Sequence, residues 1–215
     1  MQITTDHSLY LILTEEYGMR RPIVSVAEQA IAGGIDVLQM REKQKSHKEL
    51  VCLGKALGTL CRKSGVVFII NDDPHLAYEL GADGVHLGQE DMAHYTIEKV
   101  RGIVGPDRII GLSTHSPEQF QQGNEADVDY LAFGPVFPTQ AKDYHIGTDH
   151  VRTLLETAVK PVFLIGGISA ANLDCILSAG ATRVALIRDI MQAKDIPSRV
   201  KWYKDKLLRS KGIRI

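Results

Sequence analysis

Six clusters of polar residues punctuate the apolar segments of this chain, and their types suit a phosphorylated ligand. Gln39, Arg41, Glu42 and Lys43 follow one apolar run, and Asn71, Asp72 and Asp73 close another. Then come Gln89, Glu90 and Asp91; Ser113, Thr114 and His115; Thr139 and Lys142; and Gly166 with Gly167. Arg41 offers a planar fork of donors and Lys43 a point charge, a pair suited to phosphate oxygens. Surface ion pairing with Glu42 is the other use of such residues. Asp72 and Asp91 could bring two carboxylates to one cation. Oxygen ligands completed by phosphate describe magnesium better than zinc. Either aspartate alone is more ordinarily a helix N-cap, and Asp73 before Pro74 suits that role well. Gly166–Gly167 would let backbone N–H groups approach an anion, or simply make a tight turn. His115 could be a general base or a hydrogen-bonded structural residue, whereas His86 lies inside an apolar run and reads as structural.

Something must hold these clusters together. Eight apolar runs recur along the chain: SLYLILT from Ser8, DVLQM from Asp36, VVFII from Val66, GVHLG from Gly84, RIIGLS from Arg108, YLAFGPVF from Tyr130, PVFLIGG from Pro161 and RVALI from Arg183. Near-continuous runs of this length suit strands covered on both faces, as in parallel sheets. Amphipathic stretches lie between them, among them Ser46 to Ser64, Pro117 to Glu125 and Ala170 to Ala179, and a last helix is expected between Asp195 and Lys211. The second, fourth, sixth and eighth runs are entered through similar junctions: AGGIDVLQM, LGADGVHLG, EADVDYLAF and AGATRVALI. An open doubly wound sheet gives the alternation but not this fourfold beat. The α/β pattern is therefore that of a single-domain (β/α)8 TIM barrel over residues 1–215. In such barrels the functional groups gather at the C-terminal ends of the strands, where all six clusters fall.

Composition excludes several other classes. A formal net charge of -1 gives no electrostatic case for nucleic acid or an anionic membrane. Cys52, Cys61 and Cys175 are too scattered for a metal or redox motif and too few for a secreted disulfide framework. The histidines show no paired metal-ligand spacing. No secretory signal or bilayer-spanning run is read, so a cytoplasmic protein acting on small molecules is expected. Homo-oligomerisation stays open.

As a set, QMREK (Gln39 to Lys43), INDD (Ile70 to Asp73), GADGVHLGQEDM (Gly81 to Met92), GLSTHS (Gly111 to Ser116), FGPVFPT (Phe133 to Thr139) and LIGGI (Leu164 to Ile168) resemble the thiamine phosphate synthase family. The resemblance covers nearly the whole chain, in order, and GADGVHLGQEDM is its most specific part. It implies a magnesium-dependent transferase in a (β/α)8 barrel. The reaction implied joins hydroxymethylpyrimidine pyrophosphate to a thiazole phosphate, with release of pyrophosphate. By position, Gln39, Arg41, Lys43, Asn71, Ser113 and Lys142 would hold the pyrimidine pyrophosphate, with Arg41, Lys43, Lys142 and Ser113 serving the chemistry. Asp72 and Asp91 would ligate magnesium. Thr139, Gly167, Ile187 and Arg188 would hold the thiazole phosphate.

Three departures from the family pattern cluster on the acceptor side. A T-x-T-K pattern becomes Thr139-Gln140-Ala141-Lys142, the loop from Lys142 to Gly147 is short, and an expected Ile-Ser reads Ile187-Arg188-Asp189. Either Arg188 binds the acceptor phosphate, or it pairs with Asp189 and the pocket is altered or lost. A related barrel that isomerises the thiazole precursor carries a histidine where His115 stands, but generally lacks the full carboxylate pair. A catalytically silent binder of thiamine precursors is a further rival, as is a sugar-phosphate isomerase on fold alone.

Overall fold

Valine, isoleucine and leucine dominate the short apolar segments, and β-branched side chains pack well on a pleated surface. The computed structural model describes Ile3, residues 7–140 and residues 143–212. Its strands are β1 (Leu9–Leu13), β2 (Val37–Met40), β3 (Val67–Asn71), β4 (Gly84–Leu87), β5 (Ile109–Thr114), β6 (Tyr130–Phe133), β7 (Val162–Ile165) and β8 (Val184–Leu186). All pair in parallel with their sequence neighbours, and β8 returns to β1 to close the barrel. The helices are α1 (Ile23–Ala32), α2 (His47–Ser64), α3 (Pro74–Leu80), α4 (Ile97–Val104), α5 (Pro117–Glu125), α6 (Val151–Thr157), α7 (Leu173–Ser178), α8 (Arg188–Met191) and α9 (Ile196–Ser210). The expected barrel is present.

Strand alternation separates two cores. One set of side chains, including Leu11, Leu38, Phe68, Val85, Leu131 and Leu164, packs outward beneath the helices. The other set fills the interior: Tyr10, Ile12, Val37, Val67, Ile69, Ile109, Tyr130, Phe163 and Ala185. Period-two alternation in a sheet covered on both faces produces this division. The sixth apolar run extends to Phe137, but its ladder ends at Phe133. Pro135 has no N–H to donate, so the strand cannot continue regularly.

The fourfold beat has a physical basis. At three of the four junctions the chain leaves a helix through a backbone bond spanning five residues: Ile35 N to Ala30 O (3.2 Å), Ala82 N to Ala77 O (3.0 Å) and Ala181 N to Ile176 O (3.0 Å). Gly34, Gly81 and Gly180 take the positive φ these turns need. Asp36, Asp83 and Asp129 then clamp the neighbouring strand, accepting from Leu9 N (2.9 Å), Phe68 N (2.9 Å) and Ile110 N (2.8 Å). Arg183 stands at the fourth junction, with a buried Nε that has no partner. These carboxylates all lie at the N-terminal face, opposite the polar clusters.

Candidate active site

Local sequence positions the carboxylates. Asp73 caps α3 by accepting from Leu76 N at 2.9 Å, and Pro74 supplies the pre-set first helical residue. Between strand and cap, Asp72 is turned into the left-handed region (φ 66), which aspartate tolerates better than most residues. Its N–H donates to His86 O at 2.8 Å, tying it to β4. From the next loop, Asp91 accepts from Gly88 N at 2.7 Å. The two carboxyls come within hydrogen-bonding reach of each other. Burial, then the hydrogen bond and charge of Asp91, push the Asp72 carboxyl up to about 6, while Lys43 and Arg41 pull the other way. Asp72 and Asp91 are thus close to each other, and Asp72 lies within the electrostatic reach of Lys43 and Arg41.

Arg41 and Lys43 extend β2 at the rim, with Arg41 N donating to Leu13 O at 2.9 Å. Glu42 accepts from Glu15 N (2.6 Å), and Glu15 pairs with Lys45 at 2.8 Å. Gln39, only 1% exposed, donates through Nε2 to Tyr10 Oη at 2.7 Å, and its Oε1 has no partner. Asn71 ends β3 and is half-buried. Ser113 lies on β5, where His86 Nε2 is 2.8 Å from its Oγ. Burial, and secondarily the neighbouring His115, push the His86 imidazole down to about 4, so it is neutral. His115 Nδ1 lies 2.5 Å from Gly134 O and its backbone N–H donates to Gln119 Oε1 at 2.8 Å, an arrangement that suits the structural role.

The acceptor-side residues surround a separate cavity of about 390 Å³ lined by Tyr17, Thr139, Gly167, Ile187, Arg188 and others. Gly166 and Gly167 adopt φ of 96° and 65°. A side chain at Gly167 would meet Pro138 O at 2.4 Å, so glycine is needed for space as well as for backbone conformation. Asn172 braces this loop, donating to Gly167 O at 2.9 Å and accepting from Ser169 N at 2.8 Å. Arg188 donates to Thr139 Oγ1 (3.1 Å) and Gln140 Oε1 (2.6 Å) and lies 5.5 Å from the Tyr17 ring centroid. The alternative that Arg188 pairs with Asp189 is corrected: Asp189 instead accepts from Arg199 (3.1 Å) and Tyr203 (2.6 Å) beneath the rim. The cavity is open. Lys142 and Ala141 lie outside the described residues.

Tyr17, Tyr10 and Tyr130 escaped the sequence reading. Tyr17 ends a single 3-10 turn (Glu15–Tyr17) that carries no motif. The two interior tyrosines were legible in principle, because a buried phenol within an apolar run needs a partner.

The fold and the placement of these groups define a (β/α)8 barrel whose polar residues gather at the C-terminal rim. A family model described as thiamine monophosphate synthase matches residues 9–190, and the chain belongs to that family. It is 34% identical over 211 residues to a thiamine-phosphate synthase of Halalkalibacterium halodurans, covering 97% of this chain and 98% of the relative. A thiamine-phosphate synthase of Gloeobacter violaceus is 38% identical over 189 residues, 87% of this chain, which spans about half (54%) of that longer protein. The solved thiamine phosphate pyrophosphorylase from Pyrococcus furiosus superposes with a TM-score of 0.86 at 32% identity, covering 96% of this chain and 98% of the other.

Proposed function

We propose that this chain joins hydroxymethylpyrimidine pyrophosphate to a thiazole phosphate, using magnesium and releasing pyrophosphate. The observation that carries this reading is the convergence of Asp72 and Asp91 beside Lys43 and Arg41. Two facing carboxylates with oxygen donors only suit a hard divalent cation. Among the described residues no group of three or more metal-binding side chains occurs, so phosphate oxygens and water would complete the shell. That is the usual manner of magnesium binding. When bound, magnesium supplies positive charge that offsets the charge of the pyrophosphate.

The chain's own groups account for the remainder. Arg41, Lys43 and Lys142 neutralise charge developing on the departing pyrophosphate as its bond to the methylene carbon breaks. Gln39, Asn71 and Ser113 hold the aminopyrimidine ring, which stabilises the electron-poor methylene. Thr139, Gly167, Ile187 and Arg188 hold the acceptor phosphate so that the thiazole nitrogen forms the new bond to that carbon. No protein nucleophile is needed, and positioning supplies much of the acceleration. No helix among the described residues is long and apolar enough to cross a membrane. A cytoplasmic setting with small phosphorylated substrates fits this and the near-zero net charge.

The direct test is incubation with both phosphorylated precursors, with and without magnesium, followed by product mass analysis. Thiamine phosphate formed only with magnesium supports the reading. Isomerised thiazole or unchanged precursors would instead favour the tautomerase or the silent binder.

Two further outcomes are expected. Arg188→Ala should raise the acceptor's KM about 10- to 100-fold, the scale of one charge-assisted hydrogen bond, and leave the pyrimidine donor's nearly unchanged. Equal effects on both substrates, in steady-state kinetics, contradict that role. The second concerns protons. The Asp72 carboxyl, raised from 3.8 to about 6, costs stability that builds as pH rises between those values and is complete above about 6 while no cation pairs with it; below about 6 the folded chain keeps it protonated. Magnesium should therefore raise Tm more at about pH 8 than at about pH 5. A shift independent of pH contradicts it.

A further inference from the structure

Five side chains form a continuous hydrogen-bonded chain across the barrel interior. Gln39 Nε2 donates to Tyr10 Oη (2.7 Å), Tyr10 Oη meets Tyr130 Oη (2.9 Å), Tyr130 Oη meets His86 Nδ1 (2.9 Å), and His86 Nε2 meets Ser113 Oγ (2.8 Å). Tyr10 is 2% exposed, Tyr130 0% and His86 6%, so water does not interrupt the sequence of bonds. The rings are held rigidly: His86 stacks on Tyr130 at 5.5 Å, and Phe163 packs edge-on against Tyr10 (5.2 Å) and Tyr130 (5.5 Å). Room for Tyr130 is made by Gly111, where a Cβ would stand 2.1 Å from its Cζ.

Each hydroxyl in such a chain has one proton, so the direction at one end dictates the direction at the other. With Gln39 Nε2 donating to Tyr10 Oη, pairing every buried proton along the chain requires the Tyr10 proton to go to Tyr130 and the Tyr130 proton to go to His86 Nδ1. The imidazole must then carry its proton on Nε2 and donate to Ser113. Ser113 receives that bond, and its own hydroxyl proton remains to be given elsewhere. At the opposite end, Gln39 Oε1 is a buried acceptor without a partner.

We propose that Tyr10, Tyr130 and His86 are positioning residues that fix the polarity of the ring site: Gln39 presents an acceptor and Ser113 a donor. An aminopyrimidine, with an exocyclic N–H donor and a ring nitrogen acceptor, complements that pattern. A ring bearing a carbonyl in place of the amine would leave the Gln39 oxygen unpaired, and buried polar groups discriminate strongly against such mismatches. The ring assignment rests on the proposed function; the polarity of the relay does not.

The experiment uses the full chain and two probes: hydroxymethylpyrimidine without its pyrophosphate, and inorganic pyrophosphate with magnesium. Tyr130→Phe keeps the ring shape but breaks the relay. It should weaken binding of the pyrimidine about 10- to 100-fold, the scale seen when a group orienting a ligand-contacting side chain is removed. Magnesium pyrophosphate should bind within about twofold of wild type, because none of its proposed contacts belongs to the relay. In parallel, the imidazole nitrogen NMR spectrum of the wild-type chain, with His86 assigned by its loss in His86→Gln, should show the Nε2–H tautomer. Tyr130→Phe should shift it toward a mixture. A wild-type Nδ1–H tautomer overturns the polarity even if the enzyme is active. Unchanged pyrimidine binding in Tyr130→Phe, or an equal loss for both probes, overturns the positioning role. A wild-type chain with the Nε2–H tautomer that binds neither probe retains the relay but overturns the ring-site inference together with the proposed function.

Discussion

Asp91→Asn is expected to lower turnover by about 10²- to 10³-fold, the scale of losing one preorganised electrostatic contact to developing charge. The substitution is nearly isosteric, and an amide oxygen can still accept from Gly88 N, so the loop should keep its shape. What disappears is one of two anionic ligands, while phosphate oxygens and water remain. The magnesium concentration for half-maximal rate should rise together with the fall in turnover. Pyrophosphate release followed across a magnesium titration measures both quantities. Unchanged magnesium dependence would mean that Asp91 does not meet the cation.

Asp36→Ala should produce the largest loss of stability, at the end of the barrel remote from the chemistry. Asp36 accepts from Ser8 N (2.8 Å) and Leu9 N (2.9 Å) and pairs with Lys204 Nζ at 2.6 Å. Both side chains are largely buried, at 16% and 17% exposure. Removing the carboxylate strands a lysine and two backbone donors at the seam between β1, β2 and α9. Breaking one side of such a pair costs about 3–5 kcal/mol. For a chain of this size that corresponds to a Tm lower by on the order of 10 °C. Thermal unfolding followed by circular dichroism checks it, and activity per folded molecule should hold. A shift of no more than about 1 °C would mean solvent already satisfies these groups.

The barrel was legible because parallel strands covered on both faces must be apolar almost throughout, and eight such runs could be counted. The junction motif was visible as small residues. Its main physical content, carboxylates at Asp36, Asp83 and Asp129 clamping adjacent strands, depends on register and became apparent only in three dimensions. At the rim, convergence of Asp72 with Asp91 followed from adjacent strands with short loops. The partner of Arg188 did not follow. Asp189 is its neighbour in sequence, yet the start of α8 sends the two side chains apart, one over Tyr17 and the other to Tyr203. The interior relay was hidden for another reason. Tyr10 and Tyr130 are far apart in sequence and meet only because the interior-facing positions of β1 and β6 point into the same narrow lumen.

The most direct test is a crystal structure of the full chain soaked with magnesium and inorganic pyrophosphate. One divalent ion should stand between the carboxylates of Asp72 and Asp91, its remaining positions filled by pyrophosphate and water, with Arg41 and Lys43 on the pyrophosphate oxygens. Pyrophosphate bound instead in the Gly167–Arg188 cavity, with the aspartates still facing each other across no ion, would contradict the assignment.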